Sequence, residues 1–309
     1  MKLACVRRSA VAALGAACLL AAAVLGASPA SAATATTPAL QSENWAGYYA
    51  QVRGAGLPYD VLASLTVPAV SCKNSAGNAP YFGAMWAGIG GIEPEDAGAW
   101  LEQAGVGVAC ASKTSAPTYM PFWEIVSPQS SSPYHMMPAQ FFKDAKGQYV
   151  TVRAGDTVNV SVEGQHGKWT FSVRDERTKQ GYSHTPPALP AGAYTGRTVE
   201  AITEWPTGEA AKSKRLPSGL VDLGKVLFRQ VNYYYTGMNP HQWYSVTSPI
   251  TLIDNDHEVS YPGTLYQSGQ QPGQVKNSFA TYYAAGWQLG MQPAASGSVK
   301  RPAELSALH

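Results

Sequence analysis

Residues 196–208, GRTVEAITEWPTG, alternate apolar and polar side chains with the period of two that marks a half-buried β-strand. The stretch carries two glutamates, Glu200 and Glu204, and a spacing of four turns both to the same face. Either that face is wet, or one of the carboxylates is there to do chemistry.

Working outward, similar short runs recur: NWAGYYAQV, DVLASLTV, FGAMWAGIG, PFWEIV, QYVTVR, DTVNVSVE, KWTFSVRD, VLFRQVNYYY and YSVTSPITLI, separated by Gly, Pro and Ser. Helical periodicity is confined to possible turns around PAQFFKDA. This spacing predicts an all-β sandwich or barrel. SHTPPALPAGAYTG reads as a long loop into the 196–208 strand, and GEAAKSKRLPSG as an exposed basic loop leaving it. No internal repeat is present.

The chain has 309 residues. Residues 1–32 have a basic start (Lys2, Arg7, Arg8), an apolar Ala/Leu run and the small-residue site Ala30-Ser31-Ala32. They predict a cleaved secretory signal, hence a secreted protein with no membrane association after cleavage. A short segment, 33–41, leads into a domain over 42–291, and 292–309 reads as a frayed tail.

Three of the positive charges lie in the leader, so the formal net charge of +2 falls to about −1 in the remainder. That is no field for nucleic acid. Cys72 and Cys110 are the two cysteines left outside the leader, and in an exported chain they most simply form one disulfide, stabilising by roughly 3–4 kcal/mol.

The histidines His135, His166, His184, His241, His257 and His309 are scattered, without H-E-x-x-H or ligand spacing, so no metal is expected. Neither G-x-S-x-G nor a phosphate-binding glycine loop occurs, and no cofactor is expected. Carboxylates remain: Glu124 beside Trp123 in PFWEIV, with Glu200 and Glu204. A carboxylate among aromatics loses hydration and can hold a proton near neutral pH.

A series of fragments, in order, resembles the glutamic peptidases, or eqolisins, of bacterial type. S-x-N-W-A-G is matched by Ser42, Asn44, Trp45, Ala46 and Gly47; T-V-P by Thr66, Val67 and Pro68; W-x-G-I by Trp86, Gly88 and Ile89. Q-x-G with a following cysteine is matched by Gln103, Gly105 and Cys110. Trp123-Glu124, Gly155-Asp156 and the Asp222, Gly224, Val226 and Phe228 of VDLGKVLF follow. The resemblance covers about 42–285. It implies a concanavalin-like sandwich (jelly roll) of two packed antiparallel sheets, acting on polypeptides as an endopeptidase at acid pH, insensitive to pepstatin and monomeric.

The resemblance also implies a catalytic Gln/Glu dyad, with Gln103 as the glutamine. Anchoring the family's E-W pair on Glu204-Trp205 makes Glu204 the acid. Using the whole E-x-I-x-E-x-P frame matches Glu200, Ile202, Glu204 and Pro206 together and makes it Glu200, the reading adopted here. Trp86, Glu124 and Glu204 are then candidates for substrate binding or support of the dyad.

Three positions depart from the family: Gly90 stands where an acid is usual, Gly107 stands where the fungal members have the aspartate of G-V-D, and Ala201 replaces a tryptophan. Two alternatives stay open: a glycosidase using paired carboxylates such as Glu124 with Glu200 or Glu204, and a non-catalytic peptide- or carbohydrate-binding sandwich.

Overall fold

The computed structural model describes residues 40–283 except 43, 53–57, 76–78, 93–99, 128–138, 166–167, 190–195, 206–218, 236–243, 255–256, 263–264 and 266–277. The predicted signal and tail, four of the histidines and the basic loop lie outside the described residues.

Among the described residues sixteen strands account for nearly all regular structure: β1 (Leu40–Ser42), β2 (Trp45–Gln51), β3 (Pro58–Thr66), β4 (Tyr81–Gly90), β5 (Leu101–Cys110), β6 (Thr118–Val126), β7 (Gln140–Phe141) and β8 (Thr157–Gln165), then β9 (Lys168–Asp175), β10 (Gly181–His184), β11 (Thr198–Glu204), β12 (Gly219–Leu220), β13 (Lys225–Tyr235), β14 (Ser248–Asp254), β15 (His257–Pro262) and β16 (Phe279–Tyr283). A 3-10 turn, Cys72–Asn74, is the one helical element among the described residues.

Hydrogen bonding runs in the order β10-β9-β8-β3-β13-β16-β15-β14-β2-β11-β4-β5-β6-β7. The ladder folds into two packed sheets, a front sheet from β14 to β7 and a back sheet from β10 to β16, joined along one side through β15. Alternation decides which side chains meet between them. The front sheet contributes Met85, Ala87 and Ile89, Ala104, Val106 and Val108, Trp123 and Ile125, and Val199 and Ala201. The back sheet answers with Val61, Ala63 and Leu65, Val158, Val160 and Val162, Phe171 and Val173, and Val226 and Phe228.

The other face of the front sheet holds a second apolar cluster of Ala84, Trp86, Leu101, Phe122, Ile202 and Ile250, against which Leu40, Trp45, Tyr49 and Phe141 pack. β11 is therefore buried on both faces, Val199, Glu200, Ala201 and Ile202 each being 0 % exposed. The expected half-buried strand is corrected here: a central strand with apolar neighbours on both sides has no wet face.

The helical turns expected around PAQFFKDA are absent; the described part forms β7 and a turn. Phe141 joins the second cluster and Phe142 the inter-sheet core, the opposite facing of adjacent residues that a strand imposes. QYVTVR, expected as a strand, makes one isolated bridge from Tyr149 to Lys143.

Cys72 and Cys110 are bonded, tying the 3-10 turn to the end of β5 across 38 residues. Replacing both with alanine is expected to lower unfolding free energy by about 3 kcal/mol, read as a reduced denaturant midpoint.

Candidate active site

Strand register brings the candidate residues together. In one cross-strand row lie Tyr49 of β2, Glu200 of β11, Gly88 of β4, Gln103 of β5 and Glu124 of β6, each directly paired with the next. Side chains of paired residues share a face, so Glu200, Gln103 and Glu124 all project from the second-cluster side of the front sheet. Two residues along, the next row on this face holds Ile202, Trp86, Gly105 and Phe122; beyond it come Glu204, Ala84, Gly107 and Met120.

Trp86 is the centre of this face and is completely buried. It lies against two glycines. A Cβ on Gly105 would sit 2.6 Å from the Trp86 Cβ and 2.2 Å from the Met85 carbonyl, and one on Gly88 would be 3.0 Å from the Trp86 ring. Glycine at 88 makes room for the indole, and glycine at 105 for the close approach of β4 at the Met85 carbonyl and the Trp86 Cβ.

The ring is held from two sides. Trp45 packs edge-on against it with centroids 5.0 Å apart, and the Trp86 Nε1–H donates to Glu204 Oε2 at 2.6 Å. Burial pushes the Glu204 carboxyl up to about 7, against the bonding of the Trp86 and Trp45 indoles, which pulls the other way.

Gln103 is buried and donates from Nε2 to Glu124 Oε2 at 2.5 Å. Glu124 is pushed up to about 8, first by burial and then by the charge of Glu204, with the bond from Gln103 opposing. Both glutamates are thus neutral on the acid side of pH 7, which lets three carboxylates share one apolar face.

Glu200 and Gln103 are inaccessible to solvent, at 0 % and 2 % exposure. A wet sheet face is excluded for Glu200.

The departures from the family pattern acquire physical reasons. Ala201 points away from Glu200 into the inter-sheet core, so its size does not shape the wall beside the carboxylate; Trp86 does. Trp205 turns away as well, packing with Ala46 and Leu220. Gly90 has φ +88, and a Cβ there would fall 1.9 Å from the Trp100 carbonyl oxygen, so the position is set by the backbone. At Gly107 the nearest atom to a Cβ is 3.7 Å away. Gly90→Asp is therefore expected to yield little folded protein, while Gly107→Asp keeps a cooperative transition within a few °C of wild type, measured by soluble yield and thermal unfolding.

Sequence reasoning assigned no site role to Trp45, whose part in fixing Trp86 needs a register that local sequence does not contain. It also passed over Glu102, which is next to Gln103 and therefore points the opposite way, fully buried toward the inter-sheet core. Among the described residues no group of three or more His, Cys, Asp or Glu side chains could hold a metal ion. Nor is any described helix long and apolar enough to cross a membrane.

Residues 43–260 match the sequence profile of the peptidase A4 family. The chain belongs to that family. It is a glutamic endopeptidase, a hydrolase whose substrates are polypeptides.

Two solved structures of scytalido-glutamic peptidase agree in fold. Scytalido-glutamic peptidase with a transition state analog inhibitor is 16 % identical over 79 % of this chain and 99 % of that one, with a TM-score of 0.53. Its complex with a peptide-based transition state analog gives 16 % identity, the same two coverages of 79 % and 99 %, and a TM-score of 0.51. SCP-B, an eqolisin in complex with the tripeptide Ala-Ile-His, is 14 % identical over 79 % of this chain and 99 % of that chain, with a TM-score of 0.49. No curated protein sequence matches this eqolisin.

Proposed function

We propose that this eqolisin is a secreted, acid-acting, pepstatin-insensitive endopeptidase whose dyad is Gln103 and Glu200. The observation that carries the assignment is the shared row, Gln103 and Glu200 each paired with Gly88 from opposite sides. Strands two apart are separated by about 9.5 Å, a span that glutamine and glutamate side chains bridge with one water between them. Glu204 lies two rows away and has its carboxylate engaged by the Trp86 indole.

Glu200 takes a proton from the water as its oxygen attacks the scissile carbonyl carbon, and the carbonyl π electrons move onto oxygen as the tetrahedral intermediate forms. Gln103 Nε2 donates one hydrogen to that oxyanion while Glu124 accepts the other, which fixes the amide. Glu200 then gives its proton to the departing amine as the C–N bond breaks. With Glu124 held up at about 8 and Glu204 at about 7, both are protonated in acid and add no negative charge beside the developing oxyanion, which supports action at acid pH. A single titrating catalytic carboxylate also lacks the paired aspartates that pepstatin addresses. Engagement of Glu124 by Gln103 argues against the glycosidase alternative, in which Glu124 would be an independent acid. Residues 1–32 support secretion.

The test is digestion of a denatured protein by the purified enzyme from pH 2 to 8, with and without pepstatin. Cleavage should be confined to the acid side and persist with the inhibitor. Cleavage strongest at neutral pH, or abolished by pepstatin, would sink the proposal.

A further inference from the structure

Beyond Trp86, on the side away from the Gln103–Glu200 row, the floor of this face is made of small residues. Ala84 pairs with Gly107, and Phe82 with Ala109 one step further out. The glycines here differ in kind. Gly88 and Gly105 are filled by Trp86, whereas a Cβ on Gly107 would find nothing nearer than the Met120 carbonyl oxygen at 3.7 Å and the Phe122 and Phe141 rings at 3.9 Å. Packing does not demand glycine at 107, since a Cβ there would make only ordinary contacts, and the position is partly exposed.

Its walls are aromatic on one side, Phe122 and Phe141, with the Tyr149 ring edge-on to Phe141 at 6.1 Å. On the other side, across Ala84, lies Glu204. Phe82 at the outer rim is 36 % exposed, and Gly107, Met120 and Phe141 are all partly exposed, in contrast to the buried dyad. Glycine stands at 107 where the fungal members have an aspartate, leaving the floor uncharged.

We infer that Gly107 forms the floor of a subsite for an apolar, preferentially aromatic, side chain of the polypeptide substrate. The inference rests on the peptidase reading. Gly107 is four residues from Gln103 along β5, about 13 Å, so an extended peptide puts the accepted side chain within about four residues of the scissile bond.

The test uses otherwise Ala/Gly peptides in which a single Phe, Ala or Asp is moved through four positions on either side of the cleaved bond. At one position the Phe peptide should exceed the Ala peptide in kcat/KM by about tenfold or more. Gly107→Leu, which puts a bulky side chain on this floor, should bring that ratio close to one, and the smaller Gly107→Ser should bring it part of the way. Thermal unfolding shows that each variant is folded. A second arm measures the binding of the same peptides to Glu200→Gln, with and without the position-107 changes.

A Phe preference that survives in folded Gly107→Leu and Gly107→Ser, or no positional preference in the wild type, would overturn the inference. If wild type cleaves none of the peptides, the peptidase reading fails instead. The binding arm then decides the subsite: a Phe/Ala affinity ratio that depends on position 107 upholds it, and a ratio that does not rejects it.

Discussion

Glu200→Gln is expected to lower kcat/KM for peptide hydrolysis by about 10³-fold or more, because the dyad loses its proton carrier while its shape is kept. Gln103→Ala is expected to lose about 10²–10³-fold, the range for removal of one oxyanion donor. Glu204→Gln should cost about tenfold or less, since an amide oxygen can still accept from Trp86 Nε1. Single-turnover assays on folded proteins, checked by near-UV circular dichroism, measure all three. A reversed order, with Glu204→Gln the most damaging, would move the acid/base role to Glu204. Substantial activity in both Glu200→Gln and Gln103→Ala would remove the dyad altogether.

Alkaline lability should be the second large effect. Three carboxyls have folded values above their unfolded ones: Glu124 at about 8, Glu204 at about 7 and Asp60 at about 6. Asp60 is raised first by burial and then by Glu163, directly opposite it on β8. A group with a raised folded value binds its proton more tightly when folded. Its stabilising contribution is complete below the unfolded value near 4, and is lost as pH climbs through the folded value.

Summed over the three groups the loss is on the order of several kcal/mol between pH 4 and 8, a large part of a typical 5–15 kcal/mol. Denaturant midpoints should therefore fall steadily over that range, with net proton release on unfolding at intermediate pH. Glu124→Gln and Asp60→Asn should each flatten the decline. Midpoints that hold constant or rise from pH 4.5 to 8 would contradict the proposed coupling.

The fold was legible where local pattern and tertiary placement agree. In β9, Trp169, Phe171 and Val173 face the core while Thr170 and Ser172 are half-buried, and the sequence alternates accordingly. Strand β5 is the opposite case. LEQAGVGVAC is rich in Gly and Ala and offers little strand propensity, and it becomes a strand because β4 and β6 pair with it on both sides.

The same-face relation of Glu200 and Glu204 followed from spacing alone. Their difference in role did not, because it depends on which residues of β2 and β4 stand opposite, and register between strands distant in sequence leaves no local trace. The same reason hid the service of Gly88 and Gly105 to Trp86. At Gly90 the family comparison suggested a lost support for the site, whereas the left-handed backbone explains the glycine without reference to chemistry.

Strand β11 enters between β2 and β4, although both of these precede it by more than a hundred residues. On the proposed assignment, a chain emerging from the ribosome carries its oxyanion donor long before it carries its acid. No fragment that ends before β11 can cut its neighbours, and a hydrolytic centre exists only once late-made sequence has been threaded into an early-made sheet. Ordering of this kind requires long-range pairing, the slowest class of folding event.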